Sequence, residues 1–285
     1  MATKYLGECF DLHAGGEDLM FPHHENEIAQ SESALSEPGA PHCFARHWMH
    51  VRFLLVEGKK MSKSEGNFYT LRDLLLKGHR ASAIRFLLLS VPYRHQLNFT
   101  FDGLTESTNA VDRLRTFHQR IRDGKWTAAE PNPELGALIA AGDTAFTAAL
   151  ANDLNTAEAR AAIFDVLRAV NSAADRNQLP QADADATLAL LAKFDSIFAV
   201  LEDRDAELTR AALAWAEANG RLNEADASLV TALSFSDADI DALVAERTKA
   251  KQQRNFARAD AIRNELLEKN ILLEDSKDGV RWKRK

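Results

Sequence analysis

The chain has 285 residues, of which 46% are hydrophobic and 27% charged, and it carries a formal net charge of −7. That is ordinary globular composition: it excludes disorder for the bulk of the chain, and no stretch reads as the roughly 20 apolar residues of a bilayer span. Two cysteines, Cys9 and Cys43, cannot build a disulfide framework, and the first residues lack the apolar core of a signal peptide, so a reducing, cytoplasmic setting is expected.

Residues 1 to about 65 are rich in Gly, His, Met and aromatics. Seven of the nine histidines fall in the first 80 residues: His13, His23, His24, His42, His47, His50 and His79. Cys9 to Leu12 predicts a short strand running into Gly15-Gly16. Pro22 stands where helices begin, and the helix continues from His23 to Leu35. Trp48 to Val56 is an apolar run of strand length, closed by Gly58. Strand, helix and strand in this order predict an α/β unit.

From about 70 to 230 the pattern is almost wholly helical. Leu71 to Lys77 and Ala81 to Ser90 are apolar helices, and Val111, Leu114, Phe117 and Ile121 recur at helical spacing. Asp123 to Glu134, with Pro131 and Pro133, reads as a connecting loop. Asn155-Thr156-Ala157-Glu158 has the form of a capping box. Ala-rich helices with an acidic outside predict a bundle. The texture changes again near Ser236, where two helices precede a hairpin of Ile271 to Leu273 and Val280 to Trp282, with its turn at Asp278-Gly279. Residues 246–285 hold 12 Lys or Arg against 7 Asp or Glu, a net of +5, which leaves −12 on the first 245.

Three segments carry chemistry. In Lys60-Met61-Ser62-Lys63-Ser64, two lysines three apart in a loop after a strand suit a polyphosphate, and can stabilise the charge that develops as pyrophosphate leaves. A generic K-x-x-K is otherwise a solvated basic loop. In Phe21-Pro22-His23-His24-Glu25-Asn26-Glu27, His23 and Glu27 lie four apart on one helical face, and both can bind Zn²⁺. On the same reading His24 and Glu25 point elsewhere, and a plain polar helix start is the alternative. In His13-Ala14-Gly15-Gly16-Glu17-Asp18, the glycines admit a ligand to the backbone and Asp18 could accept from a ribose hydroxyl, or the segment is an ordinary turn.

Together these segments resemble the cysteinyl-tRNA synthetases, a class I aminoacyl-tRNA synthetase family. The resemblance runs through Phe10 to Ser31, Trp48-Met49-His50, Lys60 to Asn67, Tyr93-Arg94, Asp153 to Thr156, Asp260 to Arg263 and Gly279 to Trp282. It implies a mainly α chain with an N-terminal α/β part. Residues 1–67 would be the second half of a Rossmann-like nucleotide-binding domain, 68–105 a connecting helical region, 106–230 a tRNA-binding helical bundle and 236–285 a small α+β anticodon-binding module.

The implied chemistry is activation of cysteine by ATP with Mg²⁺, followed by transfer to tRNA. Lys60 and Lys63 would be catalytic. Lys63, Gly15, Gly16, Asp18 and His13 would bind ATP, and His50 would lie near substrate. In the family Zn²⁺ binds the substrate thiolate, because a borderline-soft metal prefers sulfur to a serine hydroxyl. Of its ligands, two cysteines, a histidine and a glutamate, only the last two have matches, His23 and Glu27. Arg247, Lys251, Arg254, Arg258 and Trp282 would contact tRNA, with Trp282 either stacking a base or packing under the hairpin. No His-x-Gly-His motif occurs, so the resemblance implies a C-terminal portion, inactive alone, with the first half on a separate chain or missing. A non-catalytic tRNA-binding paralogue and the cysteine ligase of mycothiol synthesis are the alternatives; no membrane partner is expected.

Overall fold

After a short helix, α1 (Ala2–Leu6), strand β1 (Phe10–Gly16) leads through a 3₁₀ turn at Glu17–Leu19 into helix α2 (Glu25–Leu35), and strand β2 (Ala45–Val51) returns parallel to β1. The computed structural model describes residues 2–37, 42–127, 132–234, 237–253, 255–269, 271–276 and 279–284. They fall into two units, 1–68 with 82–202, and 69–81 with 203–285. The expected turn residue Asp278 lies outside the described residues.

In the first unit, the α/β part opens with this βαβ crossover. The register pairs His13 with Trp48 and Gly15 with His50. Helix α2 begins later than Pro22 suggests. Met20–His24 form one wide π turn, in which Phe21 is extended (φ −133°, ψ 132°) ahead of a cis Phe21–Pro22 bond. The expected strand from Trp48 to Val56 is broken in two. Beyond Val51 the backbone leaves β2: the Arg52 amide donates to the Tyr93 carbonyl (3.0 Å) and the Leu55 amide to that of Leu97 (2.7 Å). β3 (Leu55–Val56) then pairs with β4 (Lys59–Lys60) on one side and, in parallel, with β5 (Asn98–Phe99) on the other.

The helical part of this unit comprises α4 (Ala81–Leu88), α5 (Phe101–Asp123), α6 (Pro133–Ala151), α7 (Thr156–Asp175) and α8 (Gln181–Phe198). Their starts follow the sequence. Thr100 Oγ1 accepts from the Gly103 amide (3.0 Å), Asn132 Oδ1 from Leu135 (3.1 Å) and Asn155 Oδ1 from Glu158 (3.1 Å), so each cap satisfies an orphan amide of the first turn. Phe86, Phe146, Phe194 and Phe198 lie fully buried at the centre, with the Phe194 and Phe198 rings stacked at 4.3 Å. Burial of that kind is worth about 1.5–3 kcal/mol per side chain. α6 is long and apolar enough to cross a membrane by length and composition, which the sequence reading excluded. Here its Leu135, Ile139, Phe146 and Ala149 face the bundle core.

The second unit holds α3 (Leu71–Leu76), α9 (Asp205–Ala218), α10 (Ala227–Ser234), α11 (Asp237–Gln252), α12 (Phe256–Glu268) and the hairpin β6 (Ile271–Ser276) and β7 (Gly279–Arg284). Thr70 and Asp73 form a reciprocal capping box on α3. Arg72 lies 3.5 Å above the Trp215 ring, tying α3 to α9. Ile240, Ile262, Leu266 and Ile271 make the small core of the C-terminal end, with Trp282 packed on it.

Candidate functional site

Alternation along β1 and β2 puts His13, Gly15, Trp48 and His50 on one face of the two-stranded sheet. The wide turn and the start of α2 lay His23, His24 and Glu27 over that face. His13 Nε2 lies 2.6 Å from Glu27 Oε2, and His24 Nδ1 lies 2.8 Å from His50 Nε2. The His13 ring packs 4.6 Å from that of His24 and 4.7 Å from that of Trp48. Gly15 makes this closure feasible. A Cβ at that position would meet His24 Cε1 at 2.7 Å and Nε2 at 3.0 Å. The space above Gly15 is thus taken by an imidazole, and that above Gly16 by the exposed Asp18 carboxylate.

His24 is 3% exposed. Burial, with the neighbouring His13 and His50 adding to it, holds its imidazole below the ordinary histidine range, while Glu27 opposes. A neutral imidazole keeps a lone pair for a proton or a metal. The ligand atoms of His13, His24 and Glu27 all lie within 4.8 Å of one another. The spacing-derived pair is present but looser: the exposed His23 Nε2 stands 3.7 Å from Glu27 Oε1. His24, which spacing had pointing elsewhere, belongs to the cluster. The i, i+3 relation to Glu27 was the available signal, since helical neighbours lie three as well as four apart. The donor set of imidazoles and one carboxylate suits Zn²⁺.

The opposite face of β2 is apolar. Met49 and Val51 line a cavity of about 280 Å³ with Leu88, Leu89, Val91 and Leu97. At its rim the Asp153 carboxylate accepts from Tyr93 Oη (2.6 Å) and from Arg94. The Arg94 bond, then that from Tyr93, holds Asp153 below the usual carboxylate range.

The lysine loop grows from a tight hairpin. Glu57 (φ 50°) and Gly58 (φ 76°) link β3 to β4, and two successive positive φ values match the right-handed twist of the strands. Lys60 is the last residue of β4. Asn67 braces the loop across its base, accepting from the Ser62 amide (2.8 Å) and donating to the Lys60 carbonyl (3.1 Å). Ser62 Oγ accepts from the Glu65 amide, and Gly66 turns with φ 68°. Lys60 and Lys63 are both exposed, each ammonium lying over a phenyl ring, that of Phe53 and of Phe68 respectively.

In the second unit, Arg247 is buried, 2% exposed, and presents no surface to a phosphate, contrary to expectation. It lies on the inner face of α11, with Ile240 and Ala250 also buried. Lys249 and Lys251 are exposed. Arg258 is exposed and paired with Glu246 at 2.8 Å. Trp282 is half-buried and donates to Asp241 Oδ1 (2.8 Å), so its packing role under the hairpin is the one observed. Arg254 lies outside the described residues.

Residues 1–109 match the family described as tRNA synthetases class I (C) catalytic domain, and residues 145–202 match the DALR domain. Over its whole length the chain is 54% identical to a cysteine–tRNA ligase of Koribacter versatilis, 48% to that of Solibacter usitatus and 38% to that of Leptospira interrogans. It spans 57%, 54% and 55% of those relatives, about half their length. Among solved structures it is similar to the Agrobacterium radiobacter K84 agnB2 LeuRS–tRNA–LeuAMS complex (TM-score 0.54, 18% identity, covering 70% of this chain and 27% of that one). It is also similar to Mycobacterium tuberculosis methionyl-tRNA synthetase with methionyl-adenylate (TM-score 0.50, 23% identity, covering 72% and 43%). These two show the fold.

Proposed function

We propose that this chain, with its class I synthetase segment and DALR domain, is a portion of a cysteine–tRNA ligase and serves the ATP-dependent joining of cysteine to tRNA. The observation that carries this reading is one unit holding both a closed histidine–carboxylate cluster on a βαβ face and an exposed two-lysine loop. Lys60 and Lys63 would close on the triphosphate of ATP and its Mg²⁺ and stabilise departing pyrophosphate, while Asn67 fixes the loop from which they act. Asp18 would accept from a ribose hydroxyl beside the Gly15-Gly16 backbone. His50 would hold substrate through the position that His24 gives it.

Zn²⁺ would be held by Glu27 with His23, the pair the resemblance indicates, and His13 and His24 stand close enough to Glu27 to serve as neighbouring donors. When bound, it supplies a thiophilic Lewis acid for the cysteine sulfur. The two cysteine ligands of the family have no match in these residues. A partner chain or segment bearing the missing ligands and a His-x-Gly-His motif is therefore part of the proposal. Tyr5, Leu6, Leu12 and Phe21, all well exposed in the α/β part, would pack against it. The exposed Lys249, Lys251 and Arg258 would meet tRNA phosphates.

The test is cysteine-dependent ATP–pyrophosphate exchange. The chain alone should show none. Co-purified with the remaining half of the Koribacter versatilis relative it should exchange, and Lys60→Ala/Lys63→Ala should then lower the rate by about 10²-fold or more without shifting the unfolding midpoint. Exchange by the isolated chain, or tRNA retention with no exchange in the reconstituted pair, would overturn the reading, the latter in favour of a non-catalytic tRNA binder.

A further inference from the structure

Cys9 and Cys43 take no part in the chemistry above. Cys9 immediately precedes β1, and Cys43 lies two residues ahead of β2. The strands they lead into are parallel neighbours, with Phe10 opposite Ala45, and the Phe10 amide donates to the Phe44 carbonyl at 3.3 Å. Cys9 falls opposite Phe44, so Cys43 is its diagonal neighbour: strands about 4.8 Å apart with a rise of about 3.3 Å per residue put the two Cα atoms roughly 5.8 Å apart, inside the about 4.4–6.8 Å that a disulfide spans. Cys9 stands near enough to act on the ionisation of the Cys43 thiol. Both are free thiols; Cys43 is exposed and Cys9 half-buried, so a small reagent can reach them.

We propose that Cys9 and Cys43 are a modification site, forming a reversible intramolecular disulfide at the expense of a low-mass disulfide such as oxidised glutathione. One protein thiolate attacks a sulfur of the reagent. The reagent's S–S bond breaks, and one glutathione thiolate leaves and takes up a proton. The second protein thiol gives up its proton and attacks the first cysteine's own sulfur in this mixed disulfide, breaking its bond to glutathione. The Cys9–Cys43 bond forms and the second glutathione departs as its thiol. Two protein thiols are oxidised, and one small disulfide is reduced to two thiols.

Desolvation, the Cys9 contact and the Glu32 carboxylate hold the Cys43 thiol above its ordinary value, against Arg46. A less acidic thiol is a poorer leaving group, which favours persistence of the bond once made. The bond would tie together the starts of the two strands that carry the histidine cluster. Phe10 and Phe44 lie just inside it, their rings 5.0 Å apart and 5.6 and 6.0 Å from the His13 ring.

The chain has only these two cysteines, so the experiment reads cleanly. The full chain is incubated with oxidised glutathione, and free thiols, intact mass and peptides cut without reductant are measured. Titratable thiols should fall from two to none, the mass should fall by two hydrogens, and one crosslinked species should join the Cys9 and Cys43 peptides. Dithiothreitol should reverse all three changes. Cys9→Ser and Cys43→Ser should instead hold glutathione on the remaining cysteine. Glutathione retained on both cysteines of the unsubstituted chain, a disulfide-linked dimer, or thiols that stay free would each overturn the proposal.

Discussion

Gly15→Ala tests how the histidine cluster is closed. The substitution adds one methyl group on the side of β1 that faces His24. Its Cβ would stand 2.7 Å from His24 Cε1, 3.0 Å from Nε2 and 3.1 Å from Leu19 Cδ1. Carbon contacts settle at about 3.5–4.0 Å, so the ring must retreat by roughly 0.8 Å. That motion is not free, because His24 is buried and its Nδ1 is held 2.8 Å from His50. Overpacking of this kind costs about 1–3 kcal/mol. The backbone at Gly15 is outside the left-handed region, so alanine returns about 0.4–1 kcal/mol by restricting the unfolded chain. A net loss of about 1–2 kcal/mol follows, measured by urea unfolding with tryptophan fluorescence. The decisive arm is a double-mutant cycle. In a His24→Ala background the obstruction from the ring is gone and only the gain of about 0.4–1 kcal/mol remains, giving a coupling of about 1–3 kcal/mol, the whole overpacking cost. An equal cost in both backgrounds would show that Gly15 does not act through His24.

Three further outcomes follow from particular contacts. A Cβ at Gly142 on α6 would collide with Val166 Cγ2 on α7, so Gly142→Ala should lower stability by about 1–3 kcal/mol, and Val166→Ala should recover part of the loss. Arg247→Ala should destabilise by about 1–3 kcal/mol, as expected of a buried side chain. Lys249→Ala should leave the unfolding midpoint alone, yet lower tRNA retention and reduce the salt slope of binding by about 1. His79 is held below the ordinary histidine range, first by burial and then by Lys77. The unfolded chain therefore takes up this proton first, at about pH 6.5. The contribution of His79 is present above that pH and is lost as pH falls through the lowered folded value. Urea midpoints compared at about pH 7.5 and about pH 5 should show a smaller drop for His79→Gln than for the unsubstituted chain.

What could be read in advance, and what could not, divides by the sequence distance of the partner. The cap at the head of α7 was legible because Asn155 and Glu158 lie three residues apart and the interaction is local, while the equally local pair of Thr70 and Asp73 went unread. The βαβ rhythm was legible because hydrophobic runs and glycines punctuate it. The end of β2 was not, since the apolar run resumes after Arg52 with Phe53 to Val56 and only pairing with residues near 93–99 turns the chain away. The cluster around His24 was not either. Its closing contacts come from His50, 26 residues on, and from the missing Cβ of Gly15 nine residues before. A glycine pair before a helix suggests room for a ligand, and the same absence of side chain admits the protein's own imidazole. The basic C-terminal segment misled for a related reason. A run of cations suggests a solvated face, yet position on the helix decides which of them is outside. Arg247 falls on the inner side with Ile240 and Ala250, and Lys249 on the outer. For a ligand that must be gripped by phosphates, the surface that matters is therefore narrower than the charge count implies. Among the described residues, that surface would comprise Lys249 and Lys251 on the outer side of α11 with the exposed Arg258, Arg263 and Arg281, and the Arg258 guanidinium would have to exchange Glu246 for a phosphate at no great cost, as an exposed ion pair allows.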